Sequence, residues 1–270
     1  MSVDSAWLAA MDSTRLRTCL DHDYRILHAT IAGTDPTTRV PSCPDWTTAD
    51  LAAHVAEVYQ HKTECIRLGA QPTTWAPEAL DPDPLTALAA AYAALLAQFD
   101  AHDPADHAGS WYKPNQTVGF NIRRMAQETA IHRVDAELAA AAATSTTPTP
   151  TPIPEDLALD GIDEFLNAFL AYGSRAWSEH FTDLLTTPDE RPLLLTTGDN
   201  AWLVRATPKG VLVEEHPLGS APQDPAATVT ATAQALLLWL WNRTDDTTVS
   251  LNGDPNLLTR FGALRKRSTG

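Results

Sequence analysis

Residues 144–154 read TSTTPTPTPIP, and this stretch constrains the fold more than any other part of the 270-residue chain. Proline has no backbone N–H and fixes φ, so alternating Thr and Pro cannot continue a helix. The segment favours an extended, solvated connection. It predicts a boundary between a first unit over 1–147 and a second over 154–270, each long enough to bury its own core.

Before the boundary the apolar residues recur at helical spacing. Four helices are expected, over about 5–31, 47–67, 84–99 and 116–142. The first is marked by Leu16, Leu20, Tyr24 and Leu27. In DWTTADL, Thr47 suits an N-cap with Asp50 at N3, a shortened capping box, and Trp46 and Leu51 fit the two ends of a hydrophobic staple. The third helix is the alanine-rich PLTALAAAYAALLAQF. Four such helices predict an antiparallel bundle.

After the boundary, Pro154 suits the first turn of a helix that runs to about Trp177, with Ile162, Phe165, Leu166 and Phe169 as its apolar stripe. The runs LLLTTGD, AWLVRAT, GVLVEEH and ATVTAT then read as strands, with turns at Gly198-Asp199-Asn200 and Pro208-Lys209-Gly210. A last helix, TAQALLLWLWNR, precedes TTVSLNGD. The fold class is therefore α plus α+β, a four-helix bundle followed by a small domain with an antiparallel sheet.

The formal net charge of −15 argues against nucleic acid or an anionic membrane as the main partner, because both need a basic face. Cys19, Cys43 and Cys65 form no C-x-x-C, which excludes a zinc knuckle or a thioredoxin-like motif. Scattered thiols without a signal peptide point to a cytoplasmic protein. The longest apolar run, ALLLWLW at 235–241, is too short to span a bilayer.

The fourth helix carries an anomaly. Val118, Ile122 and Met125 share a face, and the same stripe continues through Glu128, Thr129 and His132 to Asp135 and Ala136. An unpaired carboxylate on such a face would cost several kcal/mol, on the order of the burial penalty for a charge. It must be paired, metal-bound or solvated. On the second helix His54 falls beside Leu51, Val55 and Val58. His54, Glu128 and His132 make a two-imidazole, one-carboxylate set able to bind zinc with an open position, or nickel, manganese or iron. Hydrogen-bonded core histidines are the plainer reading of the same spacing.

Two motifs carry a resemblance. VPSCPDWTTADLAAHVAEV (40–58) and AQETAIHRVDAELA (126–139) resemble the two N-terminal signatures of the mycothiol-dependent maleylpyruvate isomerase family, V-P-x-C-P-x-W-x-x-x-D-L-x-x-H and H/Q-E-x-x-x-H-R-x-D-A. LALDGIDEFL and LLLWLWNR with the later GD resemble its C-terminal domain. The resemblance implies a DinB-like bundle joined to a sterol-carrier-protein-like domain. It also implies a divalent metal on His54, Glu128 and His132, with mycothiol as the thiol cosubstrate. Gln127 stands where His is common in relatives, which leaves the three ligands in place.

A metal-activated thiolate attacking a small electrophile gives cis–trans isomerisation if the thiol is released after bond rotation, and S-transfer if the adduct persists. Asp135 is the candidate to orient an imidazole, with a pair to Arg133 or Lys113 as the alternative. Arg123, Arg124 and Arg133 are candidates for a substrate carboxylate or plain surface charge. Arg243 resembles a recurrent arginine of the second domain. Cys43 reads as part of a structural loop before the second helix, Trp111 and Tyr112 as loop packing, and Trp239 and Trp241 as core. Two other readings use the same residues. One is a non-catalytic module whose metal is structural or absent, for which His22, His28 or His61 would close the site. The other is a metal-dependent hydrolase with water in place of the thiol.

Overall fold

The computed structural model describes residues 11–75, 79–221 and 224–269. The chain forms two compact units that meet in sequence at Pro152 and Ile153, inside the Thr/Pro stretch.

The first unit is a four-helix bundle of α1 (Ser13–Ala32), α2 (Thr48–Leu68), α3 (Pro84–Ala101) and α4 (Val118–Ala143). Asp12 caps α1; the earlier residues expected to open this helix lie outside the described ones. Helix α1 packs on α4 and α3, and α2 on α3 and α4. The capping box at the head of α2 is present: the Thr47 side chain accepts from the Asp50 N–H, while the Asp50 carboxylate accepts from the Thr47 N–H at 2.8 Å. Gly69, in the left-handed region at φ 61°, ends α2.

Among the described residues, α3 alone is long and apolar enough to cross a membrane by length and composition. Here its Leu88, Leu95 and Phe99 are buried in the bundle. A feature the helical pattern misses precedes α2: strands β1 (Arg39–Val40) and β2 (Cys43–Thr47) pair as a short antiparallel hairpin. Its strands are too short, and its prolines too frequent, to show alternation.

The second unit opens with α5 (Glu155–Glu164), and Pro154 is its N-cap rather than part of its first turn. The helix then continues as a π-helix over Phe165–Tyr172, so the apolar stripe at Phe165 and Phe169 is real but widened; both rings meet the Trp241 indole edge-on. Short helices α6 (Gly173–Ala176) and α7 (Thr182–Leu185) lead into β3 (Leu193–Thr197), β4 (Asn200–Thr207), β5 (Gly210–Pro217) and β6 (Ala227–Thr230). After α8 (Ala233–Leu240) come β7 (Ser250–Gly253) and α9 (Pro255–Arg267). The sheet order is β5-β4-β3-β6-β7, antiparallel throughout except for the parallel pair β3–β6. A fifth strand, β7, comes from TTVSLNGD. Leu194, Ala201 and Leu203 are buried against Ala221.

Candidate metal centre

Helix periodicity brings His132 one turn above Glu128 on α4, and α2 brings His54 opposite them. Glu128 Oε1 lies 3.1 Å from His132 Nε2 and 3.4 Å from His54 Nε2. One ligand atom from each of the three residues falls within 4.8 Å of the others. Tetrahedral ligands about 2.0–2.1 Å from a zinc ion stand about 3.3 Å apart, so both separations match a donor set around one cation as well as direct hydrogen bonds. Among the described residues no fourth His, Cys, Asp or Glu joins the group. His61, a candidate to close it, instead bonds the Trp75 carbonyl through Nδ1 and approaches Cys65 Sγ through Nε2.

The residues behind the three donors fix their orientation. Asp135, fully buried, accepts from His132 Nδ1 at 2.9 Å, which turns Nε2 towards Glu128 and His54. Its other oxygen accepts from Ser42 Oγ at 2.5 Å. Arg124, also buried, pairs with Glu128 Oε2 and leaves Oε1 for the imidazoles. Trp46 leans over both rings, with centroids 4.6 Å from His54 and 6.0 Å from His132.

The electrostatics follow from this arrangement. Burial pushes the Glu128 carboxyl up, but Arg124 and then His132 outweigh it and hold Glu128 well below the usual carboxylate range. Burial likewise lowers His132, yet Glu128 and Asp135 raise it to about 9. His132 is thus protonated at neutral pH, and a divalent cation at Nε2 would take the place of that proton, on a donor set whose two imidazoles and one carboxylate suit such a cation. Beneath them, Tyr59 and Thr129 hydroxyls share a 2.6 Å hydrogen bond.

Other candidates fall elsewhere. Arg133 is fully buried on another side of α4, where Nε meets Asp23 at 2.9 Å and Nη1 donates to Glu137 and to the Thr151 carbonyl. It pins the Thr/Pro stretch to the bundle and does not serve as a carboxylate receptor. Trp111 and Tyr112 pack with Phe120, as loop residues do. Arg243 lies in the second unit, where Nη1 donates to the Trp241 carbonyl at 2.7 Å. Arg124, a candidate for a substrate carboxylate or surface charge, pairs instead with Glu128, a contact that its i, i+4 spacing permits. Ser42 gave no such signal, since its partner is ninety-three residues away.

Comparison with known proteins gives this geometry its context. Residues 18–137 match the description "Mycothiol maleylpyruvate isomerase N-terminal domain", and residues 156–260 match the C-terminal domain of the same family. The chain belongs to the mycothiol-dependent maleylpyruvate isomerase family. A crystal structure of the mycothiol-dependent maleylpyruvate isomerase superposes with TM-score 0.59 at 15% identity, covering 90% of this chain and 93% of that one. A histidine-to-alanine mutant of the isomerase gives TM-score 0.58 at 12% identity with the same coverage. At these identities the likeness is one of fold. No curated protein matches in sequence. All three donors and Asp135 fall inside the match to the family's N-terminal domain.

Proposed function

We propose that the chain is a metal-dependent enzyme that uses mycothiol to attack a small electrophile, by isomerisation of the maleylpyruvate type or by S-transfer. The observation that carries this reading is the convergence of two imidazole nitrogens and one carboxylate oxygen, with no fourth protein ligand among the described residues, inside a domain of this family. A structural site would be closed by a fourth ligand, whereas catalysis needs an open position.

His54, Glu128 and His132 would hold the metal, most reasonably zinc given its affinity for nitrogen and carboxylate donors. Such a cation lowers the pKa of a coordinated thiol so that it is nucleophilic at neutral pH. Asp135 accepts from His132 Nδ1, which leaves Nε2 as the nitrogen a cation would meet, and Arg124 holds the other oxygen of Glu128. Arg243 is proposed, on its motif alone, to be a catalytic residue. Arg243→Ala should then lower turnover while leaving metal content as in the wild type.

The test is turnover of maleylpyruvate with and without mycothiol, before and after chelation. Dependence on both thiol and metal supports the proposal. Metal-dependent cleavage of the substrate by water into two products, with no thiol required, would instead make the protein a hydrolase using the same ligands.

A further inference from the structure

The hairpin ahead of α2 brings two side chains to the centre, Ser42 to Asp135 and Trp46 to the imidazoles. Ser42, in the turn between β1 and β2, donates to Asp135, which in turn accepts from His132 Nδ1. Trp46, on β2, is half-buried with its indole against His54 and within 6.0 Å of His132. The two imidazoles meet edge to face at 74°, so one indole touching both covers one side of the pair.

The hairpin is itself fixed. The Thr48 N–H donates to the Thr38 carbonyl at 2.9 Å, and the Thr48 hydroxyl to the Asp35 carbonyl at 2.8 Å. Arg39 bridges back to the Asp45 carbonyl at 3.0 Å. The strands pack on α2 and α4, the two helices that carry the donors. A short, anchored segment thus reaches the outer side of both histidines.

Resting on the metal reading above, we infer that Ser42 and Trp46 are positioning residues for the centre: Ser42 fixes His132 through Asp135, and Trp46 walls one side of the imidazole pair and limits how many waters a bound cation keeps. The physical reasons differ. Without Ser42, a fully buried carboxylate oxygen loses a donor, and the imidazole it steers loosens. Without the indole, water reaches the imidazoles from a side that is now apolar, and hydration of the cation rises.

The experiment uses the full chain and Co²⁺ as a probe, since its visible absorption is intense at four-coordination and weak at six. Wild type, Trp46→Ala, Trp46→Phe, Ser42→Ala and Ser42→Thr are titrated with Co²⁺ and followed by absorbance. Ser42→Ala should bind about 10- to 100-fold more weakly, the usual loss for an outer partner of a ligand. Ser42→Thr, which keeps the hydroxyl, should restore it. Trp46→Ala should lose visible intensity as water enters, and Trp46→Phe should retain it. Ser42→Ala and Trp46→Phe leave the strands intact, so they remain informative if Trp46→Ala fails to fold. Wild-type affinity and spectrum in both alanine variants would overturn the inference alone. No Co²⁺ uptake by the wild type would overturn the metal reading and the inference with it.

Discussion

The Asp135 carboxylate decides how much of the centre is preorganised. It has no exposed surface, and its two oxygens tie His132 on α4 to Ser42 on the hairpin. Asp135→Asn keeps the shape but removes the charge that makes the imidazole a better donor. Metal affinity should fall about 10- to 100-fold, read by competition with a chelator of known affinity. Unchanged affinity would mean that the fold alone holds His132. The convergence of His54, Glu128 and His132 was legible in the sequence because helical spacing put polar side chains on an apolar stripe. Ser42 was not, because only the folded hairpin brings it to α4.

At the scale of elements, α2 is placed by its first turn. The Thr47 backbone N–H and hydroxyl both donate to Asp50 and hold its carboxyl below the usual 3.8. A lowered folded pKa contributes stability that is present above 3.8 and lost as pH falls through the folded value. Losing the N-cap hydroxyl in Thr47→Ala should cost about 1 kcal/mol near neutral pH. The cost should shrink towards pH 3, and the Asp50 pKa should move back towards 3.8 in an NMR titration. An equal loss at both pH values would exclude Asp50 as the partner that matters.

In the second unit Gly253 sits at φ +95°, and a Cβ there would stand 2.4 Å from the Ala226 carbonyl oxygen. Gly253→Ala should lower Tm by several degrees, as about 1–3 kcal/mol of strain would. A Tm equal to the wild type would show that the β6–β7 pairing relaxes freely. The capping box on α2 was readable because its residues are neighbours in sequence. The π-helix at 165–172 was not, because the same apolar spacing serves an α-helix equally well.

Across the whole molecule, the chain divides between Pro152 and Ile153, within the Thr/Pro stretch, and each side has its own core. Composition could not reveal what anchors the stretch. Arg133 reads as one more charge on α4, yet it is fully buried between Asp23, Glu137 and the Thr151 carbonyl. Arg133→Met should destabilise the bundle by about 3–5 kcal/mol, because it leaves the buried Asp23 carboxylate without its cation. Chemical denaturation would show this as a lower midpoint with an unchanged slope, and a midpoint equal to the wild type would contradict it.

The central claim is that His54, Glu128 and His132 bind one metal ion, and elemental mass spectrometry of the purified protein beside His132→Ala tests it most directly. About one equivalent of a divalent metal is expected in the wild type, and its loss in the variant. A metal-free wild type that also fails to take up added zinc would contradict it, and the polar break on α4 would then be a buried hydrogen-bond network alone.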